Sequence, residues 1–168
     1  MSYIPKYILK RMFPKDEALQ IVTYEGKKCV YLQAINVISP ISVPDHIDLG
    51  PVKLPDDIGK YLKISINGKA TTVTPDILVN KVSLWNGGKK HTFNSIFKEN
   101  SAAGLTIAVG GKLTMLIEAD AFPADIIAMM DKPGEIEVTV EVALDNPINV
   151  SVKVNLTKIG VAFDPANT

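Results

Sequence analysis

Cysteine occurs once, at Cys29, and histidine only at His46 and His91, so thiol and imidazole groups are nearly missing from these 168 residues. A lone cysteine excludes an intramolecular disulfide. Its neighbours Val30, Tyr31 and Leu32 are apolar, which reads as a buried thiol in a strand. A reactive thiol would need a cation or a helix N-terminus beside it to hold the thiolate. A zinc site would need closely spaced Cys, His or carboxylate ligands, and none cluster that way. The nearest approach is Asp45, His46 and Asp48, with Asp56 and Asp57 downstream. Such residues suit a small enzyme or metal-binding loop, but in a proline-rich segment they more commonly form Asx turns.

Arginine is scarcer still. Among 18 basic residues only Arg11 carries a guanidinium, net charge is zero, and the 7% aromatic residues do not interleave with cations. Bidentate phosphate or base recognition and base-stacking platforms are therefore poorly supplied, which argues against nucleic acid as a partner. No apolar run approaches the roughly 18 residues of a membrane span. Met1–Pro14 carries charges within its apolar stretch and is followed by no small-residue cleavage site, so a cytoplasmic location is expected. The triplets Asn149-Val150-Ser151 and Asn155-Leu156-Thr157 match the glycosylation pattern but lie within an expected strand, and read as chance.

Catalytic grammar is missing too. There is no Gly-x-Ser-x-Gly elbow. Gly104–Lys112 fails as a phosphate loop, because Thr106 stands where its first glycine belongs and Leu113 replaces the hydroxyl residue after the lysine. No cofactor is implied, and no catalytic residue can be named.

What the chain has in quantity is apolar residues, 46% against 21% charged, which is enough for a core without staples. Their order is that of strands. Ile21–Tyr24 and Lys27–Ser39 flank Glu25-Gly26; Tyr61–Ile66 and Lys69–Thr74 flank Asn67-Gly68, the residues a type I′ turn requires. Ile77–Trp85 with Lys89–Phe93, and Leu105–Val109 with Lys112–Ala119, read as third and fourth hairpins around glycine pairs. Prolines 40, 44, 51 and 55 make Ser39–Lys60 an extended connection with at most short strands.

The last hairpin, Glu135–Lys158, is the clearest. Ile136 to Leu144 and Ile148 to Leu156 are aliphatic at every even position, with polar residues between them. Both strands must show these residues to one face, so partners share parity and the loop is odd. Three loop residues, Asp145–Pro147, would pair Leu144 with Ile148 and Val140 with Val152. A short helix near 123–131 is marked by Pro123, Asp125 and the terminating Pro133-Gly134. Tyr3–Phe13 has Ile4, Ile8 and Met12 at helical spacing, with a strand as the competing reading. The fold class is mainly β: one domain, an antiparallel β-sandwich or partly open barrel built of hairpins.

The charges are segregated. Residues 1–15 hold Lys6, Lys10, Arg11 and Lys15 and no acid, whereas 118–145 holds eight acids and Lys132 alone. Either these solvate two faces, or the basic arm meets the acidic face of Glu135, Glu137 and Glu141, within one chain or between two. The most site-like group is Trp85, Lys89, Lys90 and His91 around one turn. An exposed Trp there could stack on a sugar or anchor a partner; a core Trp flanked by edge-protecting lysines is the plainer expectation. The functional expectation is a non-catalytic interaction or structural module able to self-associate. Its alternatives are a small-ligand or carbohydrate-binding sandwich using Trp85, and a small enzyme or metal protein using Asp45, His46 and Asp48.

Overall fold

Pro5 opens helix α1 (Lys6–Met12) in a computed structural model that describes residues 4–43, 58–143 and 147–168. Proline has no N–H to leave unpaired at a helix start, and Pro14 cannot continue the helix past Phe13. Lys10 and Arg11 stand in the last turn, where the helix dipole favours cations. The buried residue is Leu9; Ile4, Ile8 and Met12, the expected stripe, are half-buried.

Strands β1 (Leu19–Tyr24) and β2 (Lys27–Ile35) form the first hairpin as expected. Glu25 and Gly26 take the two positive φ values, 51° and 77°, of a type I′ turn. A two-residue strand β3 (Ile41–Ser42) follows. Strands β4 (Leu62–Ile66) and β5 (Lys69–Thr72) pair around Asn67 and Gly68, φ 50° and 82°.

Two expectations fail in the middle of the chain. Ile77–Trp85 is not one strand: Pro75–Asn80 is helix α2, and only Val82–Asn86 (β6) pairs with Lys89–Thr92 (β7). Thr74 caps α2 by accepting a hydrogen bond from Ile77 N at 3.2 Å, and Pro75 and Asp76 suit its first turn. Helix α3 (Phe93–Phe97) follows, held by a reciprocal cap between Thr92 and Ser95. The fourth hairpin does not form either. Strand β8 (Thr106–Ile107) pairs with β3, while β9 (Lys112–Glu118) inserts between β2 and β6. Gly110 and Gly111 instead clasp Asn36: its C=O accepts from Gly110 N at 2.7 Å, and its N–H donates to Gly111 O at 2.8 Å.

Helix α4 (Ala124–Met129) lies where proline and glycine bracketed it. Strands β10 (Gly134–Val142) and β11 (Ile148–Leu156) keep the expected parity. Their register is Val140 with Val150 and Val142 with Ile148, two residues from the expected one, so the connection is odd but five residues long. Parity forbids a one-residue slip and is blind to a two-residue slip, which leaves every side chain on its own face. Residues 144–146 lie outside the described residues. The last strand is β12 (Ile159–Ala162), parallel to β1 and unforeseen in the sequence.

Two main sheets result, ordered β12-β1-β2-β9-β6-β7 and β11-β10-β4-β5, with β3 and β8 as a separate two-stranded sheet, and among the described residues no strand belongs to both main sheets. They face each other as a sandwich, not a closed barrel. Leu19, Ile21, Val30 and Ile117 of the larger sheet pack with Ile66, Ile136, Val138, Val154 and Leu156 of the smaller. Ile126 and Met130 close one end of that core. The larger sheet is dry on its other face as well. There Val22, Cys29, Tyr31, Leu116 and Trp85 are covered by Tyr24 and Phe163. Gln33 binds the chain that follows Phe163, donating to Asn167 O at 2.9 Å. Burial on both faces explains the unbroken apolar run Cys29-Val30-Tyr31, since neighbours along a strand point to opposite sides.

Candidate functional site

Strand alternation divides the Trp85 group. Trp85 pairs with Lys90 and Leu84 with His91, so Trp85 and His91 point to opposite faces of the hairpin. Trp85 is 4% exposed, donates from Nε1 to Ser83 Oγ at 2.9 Å, and packs edge-on against Tyr24 and Phe163. Trp85 thus takes the plainer of its two expected places, in the core, and presents no exposed stacking face. Lys90 sits over the Tyr24 ring, 5.1 Å from its centroid. Lys89 Nζ donates to Ser101 O at 3.0 Å.

His91 is buried, and its Nδ1 lies 2.9 Å from Ser101 Oγ, which in turn lies 2.9 Å from Ser95 Oγ. Desolvation, with Lys89 adding to it, lowers the pKa of His91, which favours the neutral ring. A serine beside a histidine invites comparison with a hydrolase. Here, however, Nε2 has no hydrogen-bond partner among the described residues, and none of their carboxylates orients the ring as a triad requires. Ser95 is committed to the α3 cap, accepting from Thr92 N and donating to Thr92 O. The network ties the 93–101 segment to β7.

Asp45, His46 and Asp48 lie outside the described residues. Among the described residues no group of three His, Cys, Asp or Glu could hold a metal ion. Cys29 is buried, and burial, with Glu118 adding to it, raises its thiol pKa. Beside it a cleft of about 90 Å³ is lined by Tyr24, Ser83, Lys90 and Glu118. That is well below the roughly 300 Å³ at which small-molecule sites begin. Of its charges, Glu118 pairs with Lys27 at 3.1 Å and with Lys81 at 3.7 Å.

The ion pairs sort the two charged regions differently. Asp120 pairs with Lys81, Asp125 with Lys69 and Asp131 with Lys28, at 2.8 to 3.1 Å. These contacts raise the pKa of Lys81 and lower that of Asp125. The acids between Glu118 and Asp131 thus draw on lysines from β2, β5 and the end of α2, not on the N-terminal arm. Lys6, Lys10, Arg11 and Lys15 are exposed and form no ion pair among the described residues.

Between α1 and β11 lies a groove of about 520 Å³. Lys6, Leu9 and Lys10 line it from the helix, and Ser151, Val152, Lys153 and Glu137 from the sheet. Its floor includes buried Leu9 and half-buried Val152, and its rim carries three lysines against one glutamate. The sequence showed the cations and the polar face of the last hairpin. It did not show that helix and strand, from opposite ends of the chain, flank one cavity.

No family model matches the chain, and no curated protein matches it. Among the described residues no helix is long and apolar enough to cross a membrane.

Proposed function

We propose that the protein is a non-catalytic interaction module, acting in the cytoplasm, that recruits an acidic partner through α1. One observation carries this reading: Lys6, Lys10 and Arg11 project from a single short helix and, among the described residues, form no ion pair, while Glu118, Asp120, Asp125 and Asp131 pair with lysines elsewhere. Fixed, uncompensated charge on an ordered helix steers association and selects partners of opposite sign. The acidic surface offered by the chain itself is the outer face of β10, with Glu135, Glu137 and Glu141, so a second copy is the first partner to test. That surface is diluted, because Glu137 stands opposite Lys153 and Glu141 opposite Lys63. A sugar site built on Trp85 loses its anchor to the core.

Retention on immobilised poly-L-glutamate tests the reading, with light scattering to report mass. The native protein should be retained at low salt and released at high salt, while Lys6→Glu/Lys10→Glu/Arg11→Glu should flow through. Equal elution of the two proteins would refute recruitment through α1. Low-salt mass separates self-association from recruitment of another protein.

A further inference from the structure

The groove beside α1 also borders an unpaired sheet edge. In the four-stranded sheet β11 is the outermost strand. Asn155 turns its N–H away from β10, donating to Lys15 O at 2.6 Å. Residues two apart in a strand share their orientation, so Asn149, Ser151 and Lys153 also direct their N–H and C=O groups outward. Geometry across the sheet agrees. Glu137, opposite Lys153, uses its backbone on the far side: its C=O accepts from Asn67 N and its N–H donates to Asn67 Oδ1, both at 2.8 Å. Among the described residues these six outward groups of β11 have no protein partner, and all three residues are exposed. Proteins usually shield such an edge. Here lysines stand along it, Lys153 on the strand and Lys6 and Lys10 across the groove.

We propose that this edge accepts an extended acidic peptide segment of another protein as a fifth strand, laid between β11 and α1. The proposal rests on the reading of α1 as the recruiting surface and adds the mode of binding and the chemistry of the partner. Main-chain hydrogen bonds to Asn149, Ser151 and Lys153 supply affinity, as in other strand-addition complexes. Carboxylates on alternate residues answer Lys6, Lys10 and Lys153, and small apolar side chains fit against Leu9 and Val152. A second copy of β11 is the poorer occupant, because edge-to-edge pairing would bring the same lysines of two copies together.

The test uses the whole protein and a fluorescent, capped octapeptide of alternating valine and glutamate. Anisotropy at low salt is expected to show binding, and amide exchange at Asn149, Ser151 and Lys153 is expected to slow. Methylating alternate peptide nitrogens should weaken binding at least tenfold. So should Ser151→Pro, which removes one outward N–H and no ladder bond to β10. The methylated peptide leaves the protein untouched, so it decides the matter if Ser151→Pro misfolds. Equal binding of the methylated peptide, unchanged exchange, or no binding at low salt overturns strand addition. Binding undiminished in Lys6→Glu/Lys10→Glu, with exchange still slowed, would instead refute the role of α1 and leave strand addition standing. Slow exchange at these amides that depends on protein concentration without peptide would mean a second copy holds the edge, and would also overturn the proposal.

Discussion

Replacing Phe163 with alanine should uncover the chain's one tryptophan. Phe163 packs edge-on against three rings, with centroids 4.9 Å from Trp85, 5.6 Å from Tyr24 and 6.2 Å from Tyr31. A fully buried Phe→Ala change costs about 3–5 kcal/mol. Phe163 is half-buried, but each aromatic pair adds about 0.5–1.5 kcal/mol beyond area alone. A loss of about 2–3 kcal/mol follows. With a urea slope of about 1–3 kcal/mol per molar for a small protein, the unfolding midpoint should fall by about 0.7–3 M. Trp85 reports the same event optically. Emission of the native protein should be blue-shifted and poorly quenched by acrylamide, and that of Phe163→Ala should shift red and quench. A loss below about 1 kcal/mol with emission unchanged would mean that Phe163 does not cover Trp85. The two-sided burial of the larger sheet would then be wrong.

Acid should weaken the fold through His91. Its pKa is lowered in the folded state, so the unfolded chain binds the proton first as pH falls. Stability is therefore lost as pH drops below about 6.5 and levels off once pH is under the folded value. Urea midpoints at pH 7.5 and 5 should show this slope in the native protein and a smaller one in His91→Gln; equal slopes would contradict it. Cys29, buried with a raised thiol pKa, should react with a thiol reagent at pH 8 only after denaturant is added, and rapid labelling of the native state would contradict its placement. Thr74→Ala removes the α2 cap and should cost about 1 kcal/mol in the same unfolding assay, against no measurable change if the cap is incidental.

Local chemistry was legible in the sequence, and long-range pairing was not. Glu25-Gly26 and Asn67-Gly68 specify their turns through backbone conformation alone, so both hairpins lie where the residues put them. Alternation in β10 and β11 settled which face is apolar but left register open by two residues. Helices α2 and α3 are too short for periodicity to outweigh an apolar run. Their signals were caps, Thr74-Pro75-Asp76 and Thr92 with Ser95. The pairing of β8 with β3 and of β12 with β1 depends on what the sheet edges leave vacant, which no local pattern encodes. The same holds for the site. The four cations of the arm were visible as residues; that they form no ion pair among the described residues, and that an open edge lies beside them, emerges only once β11 lies next to α1.

Residue-resolved amide exchange of the free protein tests that juxtaposition most directly. The amides of Asn149, Ser151 and Lys153 point outward and should exchange rapidly, while those of Val150, Val152 and Val154, bonded to β10, stay protected. Uniform protection from Asn149 to Val154 would show the edge already occupied and would contradict a docking surface between α1 and β11.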